Sequence, residues 1–243
     1  MIALVQRHAH ERTQAAGLEL ARAELPEAEV VSVADGDFPA TLRRCFETAV
    51  SLDHEWTVTL DGDVLLLPGS GRALRRLMAR MPERAGHADV LVHDRVTGLA
   101  RSAGVRIYRT TTMRTALRVG DWSGTLRPET ELMSSLLPAI PWWSPSVLVG
   151  LHDHEQYLRD LFRTALVLLR KKAGQRESLV ARWAADPSDE GRALLGGAEA
   201  ALLDDGELNQ EVDAHEKAHT YRQGDHELEE CKPRSPRNAA GLE

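Results

Sequence analysis

The chain has 243 residues, which fits one folded unit with an appendage, because a single core grows to roughly 250 residues. Residues 1–172 carry 22 basic and 21 acidic side chains, whereas residues 173–243 carry 8 and 16. There is no basic stripe with interleaved aromatic residues, so a polymeric nucleic acid is not expected as a partner. Only 5% of the residues are aromatic, which predicts a core of mostly Leu, Val and Ala.

The two cysteines and the apolar segments limit the compartment. Cys45 and Cys231 are too few for a disulfide framework or a zinc cluster. The apolar run at residues 1–5 is too short for a signal peptide, and no stretch approaches the ~20 apolar residues of a membrane span. We therefore expect a cytoplasmic protein without a transmembrane segment. The sequence does not indicate its oligomeric state.

Short runs of strand-forming residues alternate with helical patterns through the first two-thirds of the chain. The predicted strands are Ile2–Val5, Glu29–Val33, Trp56–Leu60, Asp89–Val92, Gly104–Tyr108 and Val147–Val149. Helical spacing predicts helices from Pro39, over residues 74–81, over residues 129–137 and over residues 155–170. This alternation is typical of an α/β layered fold.

The C-terminal third has a different composition. The helix over residues 155–170 is predicted to close a folded domain of residues 1–172. Residues 173–243 are predicted to form an acidic, weakly structured helical or disordered extension, with short helices over 179–185 and 192–203. A long loop over residues 120–145, around the helix at 129–137, is the other irregular part of the sequence.

The most informative motif is Asp61-Gly62-Asp63, which directly follows the predicted strand Trp56–Leu60. Ligands of open α/β sheets bind at the carboxyl ends of the strands. Two carboxylates at this place supply hard oxygen ligands suited to Mg²⁺ or Mn²⁺ bound to a diphosphate. The alternative is a surface turn, which the apolar residues on both sides of the motif disfavour.

The order of these parts resembles the GT-A family of nucleotide-sugar-dependent glycosyltransferases over roughly residues 1–170. The matching parts are the first strand with Arg7, the strand Glu29–Val33, the helix from Pro39, the strand ending in Asp-x-Asp, and then Gly104–Arg109, Arg127–Glu129 and Gly150–His152. The resemblance implies a GT-A-like, Rossmann-like fold: a mixed, mostly parallel sheet flanked by helices. It implies a sugar transfer from a nucleotide sugar to an acceptor hydroxyl, in the synthesis of a glycan or glycoconjugate.

The resemblance also implies functions for particular residues. Asp61 and Asp63 would coordinate a divalent cation, Mn²⁺ or Mg²⁺, which bridges the diphosphate of the nucleotide sugar. His152 would complete the metal shell, with His154 as the fallback; the alternative is that both belong to a polar helix start. Arg7 would lie in the nucleotide pocket, paired with phosphate or stacked on the base.

An inverting transferase also needs a carboxylate that removes the acceptor proton. Glu129 and Glu131 are the candidates, although acidic residues at a helix start are stabilising in themselves. The acceptor could be a glycan, a lipid-linked sugar or a small molecule. The three tryptophans of the long loop could bind its sugar rings, but packing is the commoner use of Trp; Asp35 and Asp37 are predicted to form a turn.

Four other interpretations remain open. A phosphohydrolase of haloacid-dehalogenase type also places Asp-x-Asp after a strand. In that family the motif lies near the start of the chain, and the position of Leu65 is not a Leu. Asp204 and Asp205 could imitate the late acidic pair of such an enzyme. His8 and His10 resemble an amidohydrolase His-x-His, without the barrel-length succession of strands. A nucleotidyltransferase is a third alternative, but the Gly-rich nucleotide loop expected near its N-terminus is missing from this sequence. A non-catalytic GT-A-like binding protein would use the acidic tail as its contact.

Overall fold

A single mixed sheet is the centre of the fold. The computed structural model describes residues 1–34, 38–119, 128–136 and 140–203. The strands in these ranges are β1 (Ile2–Arg7), β2 (Glu29–Val33), β3 (Trp56–Asp61), β4 (Val64–Leu66), β5 (His87–Asp94), β6 (Ala100–Arg109), β7 (Trp142–Trp143) and β8 (Leu148–His152). The helices are α1 (Gln14–Glu24), α2 (Phe38–Leu52), α3 (Ser70–Arg80), α4 (Thr110–Val119), α5 (Pro128–Ser135), α6 (Leu158–Lys171), α7 (Arg176–Ala184) and α8 (Asp189–Leu203).

The strand order is β2-β1-β3-β6-β5-β8-β4, with β7 beside the start of β5. Strands β1, β2 and β3 are parallel to one another, and β5, β7 and β8 run in the same direction. Only β6 and β4 among these strands run the opposite way. The predicted fold class, a mixed and mostly parallel sheet flanked by helices, is therefore confirmed.

Helices cover both faces of the sheet, which explains why all six residues of β1 are buried. On one face, Leu4 of β1 belongs to the same core as the stripe Leu74, Leu77 and Met78 of α3. On the other face, Val5 packs in a core supplied by α2, α4 and α5. Side chains alternate between the faces of a strand, so neighbouring residues of β1 serve the two cores.

A third core lies among α6, α7 and α8. Leu161 of α6, Trp183 of α7 and Leu194 of α8 are fully or almost fully buried in it. The indole N–H of Trp183 donates to the carbonyl of Val96 at 2.8 Å, which ties these helices to the loop after β5. The helices predicted over 179–185 and 192–203 correspond to α7 and α8. The division of the chain after residue 172 stays a prediction.

Several predictions fall on residues outside the described ranges: the turn at Asp35 and Asp37, Trp122, Arg127, and the pair Asp204 and Asp205. Among the described residues, no helix combines the length and the apolar character that a membrane span requires. The sequence did not predict α1, β4, β7 or α4.

The buried His87 at the start of β5 predicts a pH dependence of stability. Burial and the neighbouring Arg106 cation lower the pKa of His87 to about 4, although the carboxylates of Asp89 and Glu129 oppose the shift. Between pH 6.5 and 4 the unfolded state therefore binds more protons than the folded state, so stability falls as the pH falls. One proton over this range corresponds to about 3 kcal/mol of unfolding free energy.

Urea unfolding at a series of pH values measures this effect. The His87→Gln variant should show a shallower loss of stability between pH 6.5 and 4 than the wild type, because its side chain does not titrate. Equal slopes for the two proteins would mean that His87 is not held neutral in the fold.

Candidate metal centre

The centre lies at the carboxyl ends of three parallel strands. Asp61 ends β3, Asp94 ends β5 and His152 ends β8, and Asp94 lies directly beside His152 in the sheet. Asp63 follows in the short connection from β3 to β4, whose first residue pairs with His152. The ends of parallel strands are where open α/β sheets bind ligands, so the fold brings these four side chains to the expected edge.

Asp61, Asp63 and His152 form one cluster of potential metal ligands. One ligand atom from each side chain lies within 4.8 Å of the other two. The Oδ1 atom of Asp63 is buried without a hydrogen-bond partner among the described residues, and it lies 3.5 Å from Nε2 of His152. A buried carboxylate oxygen without a donor is costly, and a cation would satisfy it. The predicted ligands therefore fit a divalent metal ion, and the two carboxylates favour Mg²⁺ or Mn²⁺.

The electrostatics of Asp63 agree with this fit. Burial raises the pKa of the Asp63 carboxyl, and the carboxylates of Asp153, Asp61 and Glu11 add to this shift. Although the His152 ring opposes it, the resulting pKa is about 7. Several acidic groups thus compete for few positive partners at the ends of the strands. A bound cation would relieve this repulsion.

A network of hydrogen bonds orients His152. Its Nδ1 atom lies 2.8 Å from Oδ2 of Asp94 and 3.0 Å from Oδ2 of Asp153. Asp94 in turn accepts the backbone N–H of Thr97 at 2.7 Å, the Thr97 hydroxyl at 2.8 Å, and a guanidinium N–H of Arg101. A carboxylate on one ring nitrogen fixes the tautomer and aims the other nitrogen at a metal. Nε2 of His152 is therefore directed towards Asp63.

The same carboxylates control the charge of the imidazole. Although burial disfavours the charged ring, Asp63 and Asp153 raise the pKa of His152 well above its ordinary value. Burial also opposes ionisation of Asp94, but the His152 hydrogen bond and the Arg101 cation keep the pKa of Asp94 below its ordinary value. Because metal ligands must be deprotonated, a cation at Nε2 would displace the ring proton.

Two glycines allow the backbone to approach the centre closely. Gly104 of β6 has φ +66°, and a Cβ there would lie 2.5 Å from Cγ2 of Val64 and 2.9 Å from Cδ2 of His152. A Cβ on Gly62, inside the Asp-Gly-Asp motif, would lie 2.8 Å from Cβ of His8. The glycine of the motif thus leaves room for the loop that follows β1. A side chain at Gly104 would displace His152.

The loop after β1 is joined to both sides of the centre. The hydroxyl of Thr13 donates to the carbonyl of Gly62 at 3.2 Å and accepts an N–H of Gln156 at 2.7 Å. The side chains of His8 and His10 lie in this loop, with ring centroids 5.1 Å apart. His154, the fallback ligand, has Nε2 3.4 Å from Nδ1 of His93 and is not a member of the Asp61, Asp63 and His152 cluster.

Arg7 and Glu129 belong to a buried ion-pair network beside the cluster. Nε of Arg7 donates to Oδ1 of Asp61, and Nη1 of Arg7 lies 2.8 Å from Oε2 of Glu129. Nη1 of Arg106 lies 2.8 Å from the same oxygen, and the Tyr108 hydroxyl donates to Oε1 of Glu129 at 2.6 Å. Arg7 therefore connects Glu129 of α5 to the first carboxylate of the motif.

This network bears on the predicted functions of its members. Burial alone would raise the pKa of Glu129, but Arg106 and Arg7 lower it to about 2, and a carboxylate so stabilised is a weak base. The guanidinium of Arg7 is already engaged by two carboxylates, and it lies 5.3 Å from the ring of Phe38. Glu131, also on α5, is partly buried. Their assigned functions stay predictions.

The two described tryptophans of the long loop are far from the centre. Trp142 pairs with His87 at the start of β5, seven residues before Asp94, which corresponds to about 23 Å along a strand. Trp143 packs against the core below α3. These two side chains thus have the packing function that the sequence analysis considered more common.

Comparisons with known proteins give similarity of fold. No protein-family model matches the sequence, and no curated protein matches it significantly. A mannosyltransferase from Pyrobaculum calidifontis in complex with GDP-Man and Mn²⁺ is 12% identical, over 90% of this chain and 80% of that chain, with a TM-score of 0.47. Glucosyl-3-phosphoglycerate synthase from Mycobacterium tuberculosis, in complex with Mn²⁺, UDP and glucosyl-3-phosphoglycerate, is 13% identical, over 70% and 78%, with a TM-score of 0.47.

A third solved structure, a glycosyltransferase involved in the glycosylation of the major capsid of PBCV-1, is 11% identical over 60% of this chain and 82% of that chain, with a TM-score of 0.44. This chain is similar in fold to GT-A glycosyltransferases. At these identities and TM-scores the similarity is one of fold.

The sequence analysis missed the residues that support His152. Asp94 and Thr97 form a turn in which the side chain of Asp94 accepts the backbone N–H three residues later, and this Asp-x-x-Thr spacing is a turn signal that could have been noticed. Arg101 and Gly104 carried no signal, because only the pairing of β6 with its neighbours brings them to the centre.

Substitution of Asp94 tests the support of His152. We expect Asp94→Asn to lower the Mn²⁺ affinity about 10- to 100-fold, as is usual when the carboxylate behind a metal-binding histidine is lost. Isothermal titration with MnCl₂ alone measures the affinity. The control is Asp53→Asn, because Asp53 is an exposed acid on another part of the surface whose positive φ also suits Asn. Equal Mn²⁺ affinity in wild type and Asp94→Asn would contradict this function of Asp94.

Substitution of Glu129 tests the buried network. Glu129→Gln leaves the cations of Arg7 and Arg106 without their shared carboxylate, and loss of one partner from a buried ion pair costs about 3 kcal/mol or more. Chemical denaturation should show this loss of unfolding free energy, whereas the control Glu131→Gln, on the same helix and only partly buried, should lose much less. Similar stabilities of the two variants would show that the network contributes little.

Proposed function

We propose that the protein is a metal-dependent glycosyltransferase that moves a sugar from a nucleotide-sugar donor to an acceptor hydroxyl, in the synthesis of a glycan or glycoconjugate. The observation that carries this proposal is the convergence of Asp61, Asp63 and His152 at the carboxyl ends of the strands. The buried Oδ1 atom of Asp63, which has no hydrogen-bond donor among the described residues, also suits a cation.

In this proposal Asp61, Asp63 and His152 hold the cation, and the diphosphate of the donor binds beside them. When bound, a divalent cation supplies Lewis-acid stabilisation of the charge that develops on the departing nucleoside diphosphate. Asp94 keeps the Nδ1–H of His152 engaged, so that Nε2 stays available as a ligand. Thr97 and Arg101 hold Asp94 in turn.

We further propose that Arg7 orients Asp61. The sequence analysis predicted that Arg7 contacts phosphate or base, but its guanidinium is buried and faces the carboxylates of Asp61 and Glu129. This contact lowers the entropic cost of metal binding, because the side chain of Asp61 has already lost its rotational freedom before the metal binds. Glu129 acts through Arg7 as a positioning residue.

The proton acceptor of the transfer is proposed to be Glu131. Of the two predicted candidates, Glu129 holds three donors and has a pKa of about 2, whereas a general base works best with a pKa near the operating pH. The proposed acceptor substrate is a hydroxyl of a glycan, a lipid-linked sugar or a small molecule. Location in the cytoplasm also stays a prediction.

Nucleotide titration tests this proposal. We expect one of UDP, GDP, CMP and dTDP to bind in the presence of Mn²⁺ and not in its absence, because the metal links the diphosphate to the protein. The variant Asp63→Asn should lose this binding by at least about 100-fold, in line with the loss of a charged ligand. The control Asp53→Asn should bind as the wild type does. Isothermal titration calorimetry measures all of these affinities.

The products distinguish the transferase from its alternatives. With the matching nucleotide sugar and an acceptor, a transferase releases the nucleoside diphosphate. A nucleotidyltransferase would instead need a nucleoside triphosphate and a sugar phosphate, which it would join with release of pyrophosphate. A phosphohydrolase would release inorganic phosphate from a phosphate monoester and water. No nucleotide binding under any condition would contradict the proposal and favour a binding protein without catalysis.

A further inference from the structure

The outward face of α3 carries a line of arginines. Arg72, Arg76 and Arg80 follow one another at a spacing of four residues, and all three are exposed. Residues four apart on a helix are neighbours on its surface. The helix contains four arginines and no acidic residue in 11 positions, although the whole chain has a net charge of -7. We call Arg72, Arg76 and Arg80 the arginine face.

Several other helix surfaces pair their arginines with carboxylates. Arg22 has Glu19, Arg43 has Glu47 and Arg192 has Asp189. Even Arg75 of α3 reaches Glu27 at 2.7 Å. Within the described part of the chain, no ion pair involves the three residues of the arginine face. Like charges four residues apart repel each other, so a negative partner would stabilise this arrangement.

We propose that the C-terminal segment, residues 204–243, binds the arginine face. This segment contains 11 acidic and 5 basic residues, a net charge of -6, and it is the strongly acidic part of the sequence. It begins directly after α8, which ends at Leu203. A chain of 40 residues can span at most about 130 Å, so its length reaches any point on a body of this size.

The face itself favours an acidic chain segment over a lipid surface. The large apolar side chains of α3, Leu74, Leu77 and Met78, are buried in the core, so the helix offers nothing to insert into a bilayer. The segment is also covalently attached, which gives it a high effective concentration at the face compared with any free partner. Binding through exposed charges weakens as the ionic strength rises.

A spin label on Cys231 tests the proposal in the full-length chain. Cys45 is buried, and burial raises the pKa of its thiol to about 12. A thiol-specific nitroxide reagent at neutral pH should therefore modify Cys231 and leave Cys45 unmodified. We expect the label to broaden the amide NMR signals of residues 70–80 at low ionic strength. The signals should recover in 0.5 M salt, or when the nitroxide is reduced.

Two triple variants separate the arginine face from general electrostatics. Arg72→Gln, Arg76→Gln and Arg80→Gln together should abolish the broadening of the α3 signals. Arg43→Gln, Arg44→Gln and Arg118→Gln change the net charge equally at other exposed positions and should leave the broadening intact. A thermal melt of each variant verifies that the fold is retained.

The proposal is overturned if the α3 signals of the labelled wild type are unaffected at low salt, or if the broadening persists in the variant of the arginine face. A second experiment measures binding to a lipid surface by sedimentation with phosphatidylserine–phosphatidylcholine vesicles. Vesicle binding that needs the three arginines, together with unaffected α3 signals, would assign the face to an anionic lipid surface instead.

Discussion

The concentration of carboxylates at the carboxyl ends of β3, β5 and β8 is the constraint to which the surrounding structure responds. Asp61, Asp63, Asp94 and Asp153 all lie around His152, and like charges this close cannot all stay ionised without positive partners. Each of the cations Arg7 and Arg101 balances one acid of the group. Asp63 is left with His152 as its only ion-pair partner among the described residues. Burial and the neighbouring carboxylates raise the pKa of Asp63 to about 7, although His152 opposes the shift.

The sheet determines which acids are balanced by protein and which are left for a ligand. Asp94 is held on several sides by Thr97, Arg101 and His152, so it orients the histidine and is itself unavailable. Asp61 shares one oxygen with Arg7, whose other contact is the buried Glu129. Asp94 therefore supports the centre, whereas Asp61 and Asp63 stay potential metal ligands. This arrangement is expected where the affinity for a metal depends on ligands that are already in place before it binds.

The parts that could be predicted from the sequence are those with a local signal. The strand before Asp61 and the stripe of α3 were found because apolar periodicity is local. Helix α4 begins with three consecutive threonines, β-branched residues that obscure a helical pattern, and α1 has only a weak contrast between its faces. The candidate ligands followed from a motif and a resemblance, whereas the positions of Arg101 and Gly104 depend on strand register, which no local pattern specifies. The pairing of Arg7 with Glu129 depends on the packing of α5 beside β1.

The shortness of β4 has a consequence for association between molecules. An edge strand with free backbone groups can template pairing with a second chain. β4 has only three residues, is followed by Pro68, and lies under α1 so closely that a Cβ on Gly17 would lie 2.6 Å from the carbonyl oxygen of Val64. The edge next to the metal centre therefore resists sheet extension. An edge-to-edge dimer at β2, on the opposite side of the sheet, would form away from the candidate metal centre.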